Sequence, residues 1–444
     1  MTTSHSQNPR MGPRPLPLHV ATAAMTWLGS RAVLPISRHA SWPWKKEVAE
    51  AAAELVRDLE KIDAEAFTAA VDRETRRRFD GFAAGILAYR RHPYRRTLDD
   101  PPAIWSEGTT RLLDYGVPAA ADAPPVLVIP SLINRAYIVD LSEQRSLLRF
   151  LAGAGLRPFL MDWGKPGPVE RNFSLTDYVA GRLESALDAV LDATGRPVQV
   201  IGYCMGGLLA LALAHRRRRD IASLALLATP WDFHVDRPNT GATLSRSMQP
   251  ILPWLERIGE LPVDLIQVLF FGLDPYMVIR KFLNFGTLDP TSSRAIEFVA
   301  LEDWLNDGVG LAAGVARECL VGWYGANTPG RGEWRVAGRA VLPQTLTLPA
   351  LVVVPQQDRI VLPASSEVLA QTLPQARRLV PPLGHIGMVV GRRAEEELWR
   401  PLLEWLRTHA TGGLVSNAPA AYKKAKVKSL RPAKVGARAK GQSE

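Results

Sequence analysis

Cysteine, aspartate and histidine occur in this chain in an order and in surroundings that suit acyl transfer through a thiol. Gly202-Tyr203-Cys204-Met205-Gly206 is followed by Gly207 and lies between the apolar runs 198–201 and 208–214. A strand running into such a turn and straight out into a helix is the setting of a nucleophile elbow. Glycines at 202 and 206 remove side chains where the sharp turn presses backbone on backbone, and the cysteine is thrust out at the helix amino terminus. The helix end favours an anion there and aims the Met205 amide at a developing oxyanion. The thiol also needs a base and an orienting acid, which in this topology follow the nucleophile in the order acid, then histidine. Asp358 stands just past the apolar run 350–354, and His385 lies in Pro382-Leu-Gly-His-Ile-Gly387.

Among the other histidines, His5, His19, His39 and His92 precede the apolar runs, His215 leads into Arg216–Arg219, and His409 comes at the end of the last helical pattern. Only His234 competes with His385; it is expected to line the pocket or to be an ordinary loop histidine. Asp162 precedes Cys204 and suits a structural or pocket-edge role. The loop 130–135 offers a second oxyanion donor at the amide of Leu132 or Ile133, and Asn134, His234 and Trp304 are the candidates for contacts to substrate. Neither metal-ligand spacing nor a phosphate loop occurs, so no metal and no cofactor is expected.

These residues need a scaffold, and the short apolar runs 126–129, 157–161, 198–201, 224–227 and 350–354 supply it. Strands covered on both faces read as continuous apolar runs, and helix-length stretches separate these. The expected class is α/β: an α/β-hydrolase fold with a mostly parallel central sheet. Its core spans 101–230 and 342–411, interrupted at 231–341 by a largely helical cap rich in aromatics and prolines. Before it, 18–100 shows helical spacing, with Asp63 as a cap for one helix; this segment is either a partner-binding module or a flap on the main domain, since amphipathic spacing does not separate the two. Composition predicts disorder for 1–17, rich in Pro and Arg, and for the Lys-rich 412–444.

The formal charge of +10 is concentrated at the carboxyl end. Eight lysines and arginines from Lys423 to Lys440 face the single Glu444, so +7 lies there and +3 in the remainder. Any grip on DNA or another anionic surface therefore belongs to the tail. The start lacks the pattern of a secretory signal, and no stretch approaches the ~18 uninterrupted apolar residues of a membrane span. Cys204 and Cys319 are the only cysteines, which implies no disulfide framework. A soluble, cytoplasmic enzyme is the expectation.

Six stretches together resemble the polyhydroxyalkanoate synthases, and among them the short catalytic subunits that work with a second, helical subunit. They are Pro130-Ser-Leu-Ile-Asn-Arg135 with Tyr137-Ile-Val-Asp-Leu141, Met161-Asp-Trp-Gly164, Gly202-Tyr-Cys-Met-Gly-Gly207, Leu301-Glu-Asp-Trp-Leu-Asn-Asp-Gly308, Asp358-Arg-Ile-Val361 and Gly384-His-Ile-Gly387. The family's catalytic cysteine, aspartate and histidine match Cys204, Asp358 and His385. The resemblance implies polymerisation of (R)-3-hydroxyacyl-CoA with release of CoA, which is part of the substrate and not a cofactor. It also implies a growing polyester chain, granule association, a possible helical partner subunit and pairing of two copies. A thiolate exchanges thioesters at little thermodynamic cost, which favours synthesis. The same fold with a cysteine nucleophile also serves an intracellular depolymerase or thioesterase, and a binding protein with a degenerate enzyme body is a reading of another class. Arg359 departs from the histidine that the synthases often carry after the aspartate, and the amino-terminal helices and basic tail are additions to the short subunits.

Overall fold

The chain builds a central sheet from eight strands: β1 Ala103–Glu107, β2 Thr110–Asp114, β3 Pro125–Ile129, β4 Arg157–Asp162, β5 Val198–Tyr203, β6 Ile221–Leu227, β7 Ala350–Val353 and β8 Ala376–Leu379. Their spatial order is β1-β2-β4-β3-β5-β6-β7-β8. The β1–β2 and β2–β4 pairings are antiparallel, and those from β4 to β8 are parallel. The computed structural model describes residues 9–37, 44–116, 122–235 and 238–410; the expected basic tail, 412–444, and the first eight residues lie outside them.

The sheet divides two cores, and its side chains alternate between them with the period of two that a pleated strand imposes. Leu127, Ile129, Val198, Val200, Leu224, Leu226, Ala350 and Val352 face one side. Val126, Val128, Ile201, Tyr203, Ala225, Leu227, Leu351 and Val353 face the other. Because helices cover both faces, β3 and β5 are buried at every position, which is why they read as unbroken apolar runs. Helix Met205–Arg216 is buried from Met205 through Ala214 and lies against the first core. Cys204 packs against both cores, at the carboxyl edge of the sheet.

Between β6 and β7 the chain forms a series of helices that includes Leu252–Ile258, Val263–Phe271, Met277–Phe285 and Ser293–Asn306. The amino-terminal helices Leu16–Ser37 and Ala64–Arg91 share a third apolar core with the last two of these, through Ala23, Phe82, Ile86, Tyr89, Ile279, Phe282, Phe285 and Val299. Asp63 accepts a hydrogen bond from the Ala66 amide and so caps the Ala64–Arg91 helix. Gly85 lets that helix approach the backbone of Phe282, where a β-carbon would collide with the Phe282 carbonyl oxygen. The amino-terminal helices thus pack onto the cap helices.

One expectation needs correction. Disorder was expected through residue 17, but from Pro9 onward the chain is seated: the Arg10 side chain is only 5% exposed and is paired with Asp303. Composition misleads here because every partner of Arg10 is far away in sequence.

Candidate active site

Strand β5 delivers Cys204 into a turn with φ 56° and ψ −125°, a conformation that L-residues rarely adopt. Two backbone hydrogen bonds hold it there, from the Cys204 amide to Leu227 at 2.8 Å and from the Gly207 amide to Cys204 at 2.9 Å. The glycines are required by contact. A β-carbon on Gly202 would lie 2.5 Å from the Gly207 Cα; on Gly206 it would strike the carbonyl oxygen of Ile129, and on Gly207 the side chain of buried Thr229. The Ile129 carbonyl belongs to the sheet and cannot yield. Gly206→Ala is therefore expected to destabilise the fold by about 3 kcal/mol, the upper range of overpacking, read as a lowered denaturant midpoint at unchanged slope.

Asp358 and His385 arrive on adjacent loops. Beyond β7 and β8 the pairing continues through the Gln356 amide to Pro381 and the Gln357 amide to Leu383, both 2.9 Å, which brings Asp358 beside His385. Asp358 accepts the amides of Ile360 (2.8 Å) and Val361 (2.9 Å) at Oδ1 and faces His385 Nδ1 with Oδ2 at 2.6 Å. Its side chain is fully buried, as is almost all of His385. With Nδ1 committed to Asp358 at 2.6 Å, Nε2 is the ring nitrogen left to act on Cys204. Burial alone pulls the imidazole pKa down, but the charge of the facing Cys204, the hydrogen bonds to Asp358 and Cys204 and the charge of Asp358 override it and raise His385 to about 10. His385 therefore rests as imidazolium opposite Cys204.

Tyr203 supports the base from below the elbow: its hydroxyl donates to the His385 carbonyl at 3.2 Å and its ring lies 5.2 Å from the imidazole. Sequence reasoning missed Tyr203, because an aromatic inside the elbow carries no signal of what it faces.

Two of the candidate backbone amides are free to donate among the described residues. Met205 opens its helix, so its N–H has no acceptor a turn earlier. On the loop after β3, the Ile133 amide donates to Ser131 Oγ at 3.0 Å, which removes Ile133 from the candidates. The Leu132 amide has no partner among the described residues. Asn134 takes a positive φ of 68°, and its buried Oδ1 lacks a hydrogen-bond partner among the described residues.

Trp304 is buried, and its indole N–H donates to the Arg135 carbonyl at 2.7 Å, so it fastens the loop after β3 to the Ser293–Asn306 helix. His234 Nε2 meets the Tyr324 carbonyl at 2.8 Å, and its amide donates to Asp232. Asp162 is occupied by Arg111 at 2.5 Å. Arg359 is exposed and meets Asp274 of the cap at 3.4 Å, leaving Asp358 undisturbed. Cys319 is a free, buried thiol whose pKa burial pushes well above its usual value. Among the described residues no group of three His, Cys, Asp or Glu side chains could hold a metal, and no helix is long and apolar enough to cross a membrane.

The strand order and the strand–turn–helix nucleophile place the chain in the α/β-hydrolase fold, whose family profile, described as alpha/beta hydrolase fold, matches residues 124–391. Among solved structures, a thermophilic esterase from Thermogutta terrifontis is 20% identical at a TM-score of 0.43, covering 72% of this chain and all of that one. The poly(3-hydroxyalkanoate) polymerase subunit PhaC of Synechocystis sp. is 30% identical over 64% of this chain and 77% of its own length. The protein of the same name from Allochromatium vinosum is 28% identical over 68% of this chain and 87% of its own. The chain belongs to the poly(3-hydroxyalkanoate) polymerases, enzymes of the acyltransferase type.

Proposed function

We propose that this chain polymerises (R)-3-hydroxyacyl-CoA through an acyl thioester on Cys204, with His385 moving the protons and Asp358 orienting it. The observation that carries the reading is the Asp358–His385 pair, 2.6 Å between Oδ2 and Nδ1, beside the Cys204 elbow. With the thiol proton on His385, the Cys204 sulfur attacks the thioester carbonyl, and the amides of Met205 and Leu132 receive the developing oxyanion. The C–S bond to CoA breaks, and His385 gives its proton to the departing CoA thiolate. His385, having given up its proton, is now the free base. In that form it takes the proton of the incoming 3-hydroxyl as the hydroxyl oxygen attacks the acyl thioester. The ester bond forms, the thiolate leaves, and the imidazolium–thiolate pair is restored. One histidine is thus acid in the first half of the cycle and base in the second.

Hydroxyl and water compete for the same acyl-enzyme. Supplied with 3-hydroxybutyryl-CoA, the purified chain is expected to release CoA together with insoluble polyester; CoA release with only free hydroxyacid would assign it instead to the thioesterases. Repeating the assay with longer acyl chains, with and without a helical partner subunit, defines the acyl range and the need for a partner. The work is proposed to take place in the cytoplasm at a polyester surface, by paired copies of the chain. The Lys-rich 412–444 stretch supplies a salt-sensitive attraction to DNA or other anionic surfaces. Deleting it should weaken DNA retention at low salt and leave turnover unchanged; unaltered retention would limit that stretch to a solubilising role.

A further inference from the structure

The Leu301–Gly308 motif is not used by the chemistry above, yet nearly every side chain in it has a partner. Glu302 holds Lys281 at 2.7 Å inside the cap. Toward the site, Trp304 takes the Arg135 carbonyl, Asp307 meets Arg135 Nε at 3.6 Å, and Asp307 accepts the Tyr137 hydroxyl at 3.3 Å. The loop that carries the Leu132 amide is thereby anchored to this helix just beyond its working end.

The opposite side of the same turn grips the amino-terminal arm. Arg10 Nε and Nη2 meet the two oxygens of Asp303 at 2.5 and 2.8 Å, and its remaining N–H groups donate to the carbonyls of His92 and Tyr94. Tyr89 donates to Asp303 Oδ1 at 2.9 Å, and Asn306 donates to the Tyr89 hydroxyl at 3.2 Å while accepting the Arg14 amide at 2.9 Å. Gly12 lies so close to the Asn306 carboxamide that a β-carbon there would collide with it. A buried guanidinium with a forked carboxylate and two carbonyls is far more constrained than a surface ion pair. Removing it leaves the half-buried Asp303 carboxylate, one residue before Trp304, with the Tyr89 hydroxyl in place of the fork.

We propose that Arg10 is a positioning residue for the acyl-transfer site: through Asp303 it fixes the end of the Ser293–Asn306 helix, and through Trp304 it sets the loop whose Leu132 amide binds the oxyanion. The inference rests on the oxyanion assignment of the proposed function. It explains why an arm far from Cys204 in sequence is bound so specifically, and why the motif lies in the cap.

The test compares two reactions of Cys204 in the full chain. Acylation by 3-hydroxybutyryl-CoA passes through an oxyanion; alkylation by iodoacetamide displaces iodide and does not. Arg10→Met is expected to slow single-turnover acylation at least ~10-fold, the scale of a sub-ångström misplacement, with the iodoacetamide rate and KM unchanged. Arg10→Lys, a point charge without the fork, should not restore the rate. Trp304→Phe, which keeps the packing and loses the N–H, should show the same selective loss. Acylation at the wild-type rate in Arg10→Met, or acylation and alkylation falling together, would overturn the inference. If the wild-type chain is not acylated on Cys204 at all, the failure lies with the proposed function and not with Arg10.

Discussion

Replacing Cys204 by alanine is expected to lower thioester turnover by a factor of about 10⁴ or more, the loss typical of a covalent nucleophile, with the fold intact. No other thiol can take over, because Cys319 is buried and held protonated. Alanine suffers the same positive φ as cysteine, so stability should be unchanged within error, whereas Cys204→Gly, which relieves that conformation, should be more stable than Cys204→Ala by about 1 kcal/mol. CoA release and denaturant unfolding on the same preparations check both halves. Retained turnover in the alanine variant would remove the mechanism, and loss of the fold would show that Cys204 is a packing residue.

Asp358→Asn should cost about 10³–10⁴ in turnover, the scale seen when a catalytic histidine is given the wrong partner. Asparagine can still accept the Ile360 and Val361 amides at Oδ1, and its NH₂ then points at His385 Nδ1. Two donors cannot face each other, so Nδ1 must be the acceptor, the proton moves to Nε2, and the neutral imidazole can no longer take a proton at the site. The pH profile should change as well. With Asp358 present, His385 stays protonated until the pH rises through about 10, so acylation should hold through neutral pH and fall on that alkaline limb. Both contributions of Asp358, the hydrogen bond and the charge, raise His385, and their loss moves the limb to lower pH. A variant with the same limb as the wild type would show that Asp358 does not govern the histidine.

What could be read from the sequence was what local pattern or chain order encodes. Strands β3 to β7 were legible because strands buried on both faces must be apolar throughout, whereas β1, β2 and β8 were missed, β1 and β8 being edge strands without an apolar run. Cys204 was legible because a turn this tight requires Gly202 and Gly206 around it. Asp358 and His385 could be selected because this topology fixes the order in which its strand ends supply acid and base. What could not be read depends on contacts between residues distant in sequence. Trp304 looks like a pocket aromatic until its indole is seen to hold Arg135. Ile133 and Leu132 are equivalent as letters, and only the Ser131 hydroxyl separates them. Arg10 lies in a stretch whose composition predicts disorder, yet its carboxylate partner is 293 residues away.

The covalent intermediate is the most direct test of the whole account. The purified chain is mixed with 3-hydroxybutyryl-CoA, quenched in acid during turnover, digested and mapped by mass spectrometry. The account predicts that the peptide containing Cys204 carries one or more 3-hydroxybutyryl units, released by neutral hydroxylamine as a thioester must be. Turnover without any adduct on Cys204, or acyl units attached at another residue, would contradict it.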